Sequence, residues 1–118
     1  MTLFAKLVAQ EEGFGVPGKI PTIRHNPGDL RHSPHSEHPG GPAHAEDVGT
    51  IDTDADGWAD LERQLQIWAK EGLTIRQAIT LRQAPSIEND SERYLNFICA
   101  GLKLPPETPM SQALKIQA

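Results

Sequence analysis

The sequence predicts a mainly α protein of the α+β kind, with about five helices and a long loop or small β-hairpin region between the first and second helices. Apolar residues recur at helical spacing near the N-terminus and through the second half of the chain. Between these regions, residues 13–57 are rich in Gly, Pro, His and Asp. A loop of that length is uncommon in a compact domain unless it is functional. With 118 residues, we expect one domain, residues 1–118, with one core.

The first helix is predicted over residues 2–12, with Thr2 as its cap and Gly13 as its left-handed end. Its apolar stripe consists of Leu3, Phe4, Leu7 and Val8. Glu11 and Glu12 fall in the last turn, where the helix dipole disfavours negative charge. Both the dipole and the like-charged neighbour raise a carboxyl pKa, which suits a general acid. The alternative is that both are solvated surface acids at a frayed helix end.

The remaining elements follow from turn and capping residues. Short strands are predicted around residues 20–24, 29–32 and 48–52. Asp56-Gly57 opens a helix that ends near Gly72, and a capping box at residues 74–77 opens one that reaches about Leu81. A second box, at residues 89–92, opens a helix that Gly101 ends. Thr108-Pro109 suits the cap and first position of a short last helix.

Composition excludes several classes of protein. A net charge of −5 argues against a nucleic-acid partner. We find neither an apolar run of the ~20 residues that a membrane span requires nor a signal peptide. Cys99 is the only cysteine, which excludes an intrachain disulfide and favours a core thiol. We expect a monomer without a cofactor.

Two groups of residues invite a metal interpretation. The first is a set of five histidines within twenty residues: His25, His32, His35, His38 and His44. Prolines interrupt the set and no cysteine lies near, so surface histidines are favoured over zinc. The second, residues 52–57, matches the opening half of a calcium-binding loop, but Arg63 occupies the position of the bidentate Glu. Capping of the following helix explains these residues better, and we predict no metal.

An ordered set of motifs resembles the small lysozyme-like lytic transglycosylases and muramidases of bacteriophages and prophages. The resemblance spans nearly the whole chain and is carried by Glu12-Gly13-Phe14, His25-Asn26-Pro27-Gly28-Asp29-Leu30-Arg31, Thr53 to Gly57-Trp58, Leu61, Leu73-Thr74-Ile75, Ala84-Pro85, Glu88-Asn89-Asp90, Tyr94 and Thr108-Pro109. This sequence differs in having His25 where the family often has Asn. Its His-rich insertion, residues 32–44, is also longer than usual.

The resemblance implies a lysozyme-like fold and cleavage of the β-1,4 bond between N-acetylmuramic acid and N-acetylglucosamine in peptidoglycan. It implies Glu12 as the catalytic acid and base, with Asn26, Asp29, Asn89 and Tyr94 as substrate-binding residues. A lytic transglycosylase needs one carboxyl group, whereas a hydrolase would also use Asp29 or Asp52 opposite Glu12. The sequence leaves this choice open. Such an enzyme acts on the cell wall, or within a phage particle or secretion system.

Two alternatives from other classes remain. A lysozyme-like chain of this acidic charge could bind glycan or serve a structural role without catalysis. The histidine-rich loop could instead support a metal-dependent hydrolase. Phe14, Trp58, Trp68 and Tyr94 are the aromatic candidates for stacking on sugars, although a core position is favoured for both tryptophans.

Overall fold

The computed structural model describes residues 1–31, 33–38, 49–85 and 90–118, apart from the side chains of residues 37 and 38. The described part is mainly helical, as predicted. Its elements in chain order are α1 (Leu3–Glu12), α2 (Ile20–Ile23), β1 (Ser36–His38), β2 (Thr50–Ile51), α3 (Asp54–Lys70), α4 (Ile75–Gln77), a π-helical continuation (Ala78–Gln83), α5 (Ser91–Leu102) and α6 (Met110–Ala113).

The residues group into two compact units. The first unit comprises Met1–Leu7 and Gln64–Ala118, and the second comprises Val8–Arg63. Both boundaries fall inside helices, so α1 and α3 each contribute to both units. Buried residues of the first unit include Phe4, Leu65, Trp68, Ile79, Leu95, Ile98 and Met110, and those of the second include Val8, Ile51 and Leu61. The single domain stays a prediction.

Helix α1 begins and ends as the sequence predicts. The Thr2 hydroxyl accepts a hydrogen bond from the Ala5 amide at 3.1 Å. At the other end, Gly13 has a left-handed φ of 89°. The Gly13 amide donates to the Gln10 carbonyl, and the Phe14 amide donates to the Ala9 carbonyl. This pair of bonds is a Schellman motif, which places Glu12 in the capping position, in the last turn of the helix.

The region between α1 and α3 contains a two-stranded antiparallel pair, β1 with β2, as expected for a hairpin. Strand β2 lies within the predicted segment 48–52, although Val48 is outside the described residues. The other two strands were placed wrongly. Residues 20–23 form α2, with proline in its first turn, and residues 29–31 lie in a turn and bend. His32 is outside the described residues.

Capping residues explain the later helices. Thr53 caps α3 by accepting from the Asp56 amide, so α3 begins two residues earlier than predicted. The predicted capping box of Thr74 and Gln77 is confirmed. Asp90 caps α5, while Asn89 lies outside the described residues. Pro109, not Thr108, is the cap of α6.

Gly101 does not end α5, in contrast to the prediction. The left-handed residue is Lys103, with a φ of 58°. A Cβ at position 101 would lie 2.6 Å from Leu7 Cδ1. The glycine therefore permits a close approach of the Leu7 side chain to α5.

Among the described residues, no helix has the length and apolar character needed to cross a membrane.

Candidate functional site

Glu12 ends α1 within the second compact unit, and a polar turn of the same unit reaches it. We define the polar turn as residues 25–31. Its centre is a tight turn in which the Asp29 amide donates to the Asn26 carbonyl at 2.9 Å. Pro27 holds the second position with a fixed φ. The third position is Gly28. A Cβ there would lie 2.7 Å from Leu61 Cδ1, so a larger residue would force Leu61 to move.

Two residues of the polar turn have left-handed backbone conformations. His25 has a φ of 51° and Asp29 has a φ of 53°. Each such non-glycine residue costs about 1–2 kcal/mol relative to an ordinary conformation. Strain of this kind persists only where the surrounding contacts impose it, and it is frequent at functional sites.

Asn26 fixes the shape of the polar turn from inside. Its side chain has no exposed surface. The amide nitrogen donates to the carbonyls of Leu30 (2.7 Å) and Gly49 (2.9 Å), and the amide oxygen accepts from the Leu30 amide (3.0 Å). These bonds join the turn to the residue before β2. Asn26 as a substrate-binding residue stays a prediction, and its buried contacts favour a positioning role.

Replacing Asn26 by Ala should destabilise the protein by about 3 kcal/mol, because three hydrogen bonds to the backbone are lost, one of them buried and two partly buried. Urea unfolding of the variant and the wild type measures this loss. Asn26→Asp keeps the oxygen acceptor but removes the two donor hydrogens, so it should also be less stable than the wild type. A loss below about 0.5 kcal/mol in Asn26→Ala, the range of ordinary surface substitutions, would contradict the positioning role.

The central feature of the site is a hydrogen bond between the side chains of Asp29 and Glu12. We call these two residues the acid pair. Burial raises the pKa of Asp29, and this effect exceeds the lowering by the hydrogen bond from Glu12 and by the charges of Arg31 and Arg24. The Oδ1 atom of Asp29 is buried and has no hydrogen-bond partner among the described residues. The two carboxyl groups predicted at the site are therefore in direct contact.

An aromatic pair belongs to the same unit. Phe14, two residues after Glu12, meets Trp58 of α3 edge to face, with ring centroids 5.3 Å apart and an interplanar angle of 76°. Both side chains are half-buried. Trp58 is thus not a fully enclosed core residue, whereas Trp68 is 5% exposed and belongs to the core. Partly exposed aromatic faces are suited to apolar faces of sugars.

Two histidine–aspartate contacts hold the loop region to the first turns of α3. His25 Nδ1 lies 2.7 Å from Asp54 Oδ1. The backbone amide of His35 donates to Asp60 Oδ2 at 2.9 Å, and His35 Nδ1 lies 2.5 Å from Asp60 Oδ1. We call the contact of His35 with Asp60 the clasp. Asp54 and Asp60 were not predicted as partners of these histidines. Asp54 belongs to an acidic run and Asp60 lies inside the predicted helix, so neither carries a sequence signal that pairs it with a histidine.

The clasp joins a buried group to an exposed one. Asp60 is 2% exposed, whereas His35 is largely exposed. Burial alone would raise the pKa of Asp60, but its hydrogen bonds and the charge of His35 outweigh burial and lower that pKa. The hydrogen bond to Asp60, its charge and that of Asp56 raise the pKa of His35.

Stability should depend on pH through the clasp. Because the pKa of Asp60 is lowered on folding, its contribution is present above the unfolded value of about 3.9 and is lost as the pH falls through the folded value. Because the pKa of His35 is raised, its contribution is present below about 6.5 and is lost as the pH rises through the folded value.

We therefore expect the difference in unfolding free energy between the wild type and Asp60→Asn to be largest between about pH 4 and 6.5. At that maximum the loss should be about 2 kcal/mol, because charge-assisted hydrogen bonds are removed. Urea unfolding of both proteins across the pH range checks the expectation. A difference that does not vary with pH would contradict it.

The structure describes only part of the residues that the metal interpretations involve. Among the described residues, no group of three or more His, Cys, Asp or Glu side chains is placed to hold a metal ion. His32, His44 and the side chain of His38 lie outside that description. Asp54 and Asp56 of the calcium-like segment lie in the first turn of α3, which is the capping arrangement that the sequence favours.

The other predicted site residues are placed differently. Tyr94 lies on α5 in the first compact unit and is 4% exposed, which leaves little of its ring for a sugar. Asn89 is outside the described residues. Asp52 is exposed, just before α3. Among the predicted site residues that the structure describes in the second compact unit, Glu12 and Asp29 are in contact, and Asn26 fixes the turn that carries Asp29. The roles of Asn89 and Tyr94 stay predictions.

Comparisons of the chain with protein-family models, with curated proteins and with solved structures found no match.

Proposed function

We propose that this protein cleaves the β-1,4 bond between N-acetylmuramic acid and N-acetylglucosamine in peptidoglycan, with Glu12 as general acid and then general base. The observation that carries the proposal is the contact of Glu12 with Asp29 of the polar turn, because a neighbouring carboxyl group opposes the ionisation of a general acid. The ordered sequence motifs that resemble lysozyme-like enzymes support the same assignment. The half-buried Phe14 and Trp58 supply aromatic surface in the same unit.

The geometry of the acid pair favours a one-acid mechanism. Glycosidases with two catalytic carboxyl groups hold them ~5 Å apart for retention, and farther apart for inversion, on opposite sides of the sugar. A carboxyl group hydrogen-bonded to Glu12 stands beside it instead. Asp29 is therefore badly placed to be the opposing nucleophile or base. This argument favours a lytic transglycosylase over a hydrolase.

In the proposed reaction the Glu12 carboxyl group donates its proton to the glycosidic oxygen. The bond from that oxygen to C1 of N-acetylmuramic acid breaks, and positive charge develops at C1, where the acetamido group of the sugar stabilises it. The Glu12 carboxylate then takes the proton of the 6-hydroxyl as that oxygen bonds to C1. The product is a 1,6-anhydro sugar, no water is consumed, and Glu12 is again protonated.

The test is to incubate the purified protein with peptidoglycan and to identify the soluble products by mass spectrometry. Anhydro-muropeptides are the expected products. Reducing ends would keep the proposed substrate but replace the transglycosylase by a hydrolase that uses another base. If the folded protein binds peptidoglycan but releases no product, the proposal is overturned and the non-catalytic alternative is supported. The net charge of −5 does not itself favour tight binding to peptidoglycan.

A further inference from the structure

The hydrogen bond between Glu12 and Asp29 requires that one of the two carboxyl groups be protonated. An ionised carboxylate only accepts hydrogen bonds, so a hydrogen bond between two carboxyl groups exists only while one of them is protonated. Two close carboxylates also repel each other, which opposes the loss of the shared proton. The first proton to leave such a pair belongs to the pair and not to either residue.

We propose that Glu12 and Asp29 hold one proton between them, and that Asp29 is the positioning residue that keeps this proton available on Glu12. This inference concerns the pH regulation of the same site and, for its catalytic consequence, rests on the proposed function. It is distinct from the predicted role of Asp29 as a substrate contact. It also explains what Asp29 contributes to the site although it lies beside Glu12 and not on the opposite side of the sugar.

The surroundings of Asp29 oppose the loss of the shared proton from the pair. Its Oδ1 atom is buried and has no hydrogen-bond partner among the described residues, so an ionised carboxylate would lack solvation there. The backbone of Asp29 is left-handed, and the buried side chain of Asn26 fixes the turn that carries it. The backbone that carries the carboxyl group is therefore held in place.

Two arginines act on the acid pair, and further charged groups lie on α1 and α3. The charges of Arg24 and Arg31 lower the pKa of Asp29, although burial acts more strongly and the net direction is upward. On α1, Glu11 adds a negative charge next to Glu12. On α3, Asp54 is in contact with His25 of the polar turn. The two arginines stabilise one negative charge on the acid pair. Burial and the repulsion between the two carboxylates oppose a second negative charge.

The expected result is a pair of coupled titrations. In the wild type, carbon-13 NMR of the side-chain carboxyl groups should show two steps for Glu12 and Asp29 that are separated by more than about one pH unit. In Asp29→Asn the like charge is gone and the new amide can donate to Glu12, so Glu12 should titrate in one step at lower pH. Asparagine tolerates the left-handed backbone of position 29, so the turn should be kept.

Two further variants complete the measurement. Glu12→Gln should move the titration of Asp29 to lower pH, which tests the same coupling from the other side. Asp52→Asn is the matched control, because it removes an exposed carboxylate of the same compact unit and should leave the two coupled steps unchanged. The proposal is overturned if Glu12 and Asp29 titrate independently in the wild type and the titration of Glu12 is the same in Asp29→Asn as in the wild type.

These titrations need no substrate, so their outcome is separate from that of the peptidoglycan assay. If peptidoglycan is cleaved, the loss of activity at high pH should move to lower pH in Asp29→Asn, because the proton is then released earlier. A purely structural role of Asp29 would change the activity without moving that limb of the pH profile. Coupled titrations in a protein that cleaves nothing would overturn the proposed function and leave the shared proton standing.

Discussion

Replacing Glu12 by Gln should lower the rate of peptidoglycan cleavage by about 1,000-fold, because general acid–base catalysis by a positioned side chain contributes about 100- to 10,000-fold. Glutamine has nearly the same shape as glutamate and can still hydrogen-bond Asp29. It cannot, however, give a proton to the glycosidic oxygen or take one from the 6-hydroxyl. The rate of release of soluble muropeptides from purified peptidoglycan measures the effect.

Glu11 supplies the matched control at the neighbouring position of the same helix end. Glu11→Gln makes the same chemical change but leaves the carboxyl group that contacts Asp29. We expect it to keep activity within about tenfold of the wild type, since only a neighbouring charge that is partly exposed and screened by solvent changes. Equal activity of Glu12→Gln and wild type would exclude Glu12 as the acid. Equal and large losses in both variants, with both folded, would indicate an effect of charge on the helix end.

The parts of the fold that the sequence predicts are those that local chemistry determines. Thr2 and Gly13 bound α1, and Thr74 with Gln77 form a capping box, because each motif satisfies backbone groups within a few residues. The segment 20–23 was wrongly predicted as a strand. Its isoleucines and threonine favour strands locally, but proline in the first turn and backbone bonds to residues 19 and 20 make it helical.

The candidate site was predictable only in part, for the same reason. The sequence singles out Glu12 by its position in a helix and Asp29 by its motif, but it cannot show that two residues seventeen apart in the chain are in contact. It also places Asn26 among the substrate contacts. The side chain of Asn26 is buried and bonded to the backbone at Leu30 and Gly49, which favours a positioning role, and the substrate contact stays a prediction.

Gly57 shows how packing overrides a local interpretation. In the sequence it belongs to an Asp-Gly pair that opens a helix, yet it lies inside the first turns of α3. A Cβ at this position would clash with the His25 carbonyl oxygen and would lie 2.7 Å from Pro27 Cδ. The glycine thus lets the polar turn pack directly against α3. Sequence periodicity carries no information about such a contact between two backbones.

Gly57→Ala should therefore destabilise the protein, although alanine favours helices by about 1 kcal/mol over glycine. The obstacle is backbone and a proline ring, which cannot rotate away, so we expect a net loss of about 3 kcal/mol. The polar turn must also move away from α3. A displacement of about 1 Å at a catalytic group can cost about 100-fold in rate, so cleavage should fall with stability. Urea unfolding and the peptidoglycan assay measure the two effects.

Gly101→Ala is the control, because its added Cβ would meet the end of the flexible Leu7 side chain instead of backbone. Leu7 can change rotamer, so the same gain in helix propensity is opposed by a smaller steric cost, and we expect a loss of less than about 1.5 kcal/mol. Cleavage should remain close to that of the wild type, since Leu7 and Gly101 belong to the first compact unit and the acid pair to the second. A Gly57→Ala protein as stable and active as the wild type would show that the polar turn does not depend on close packing against α3.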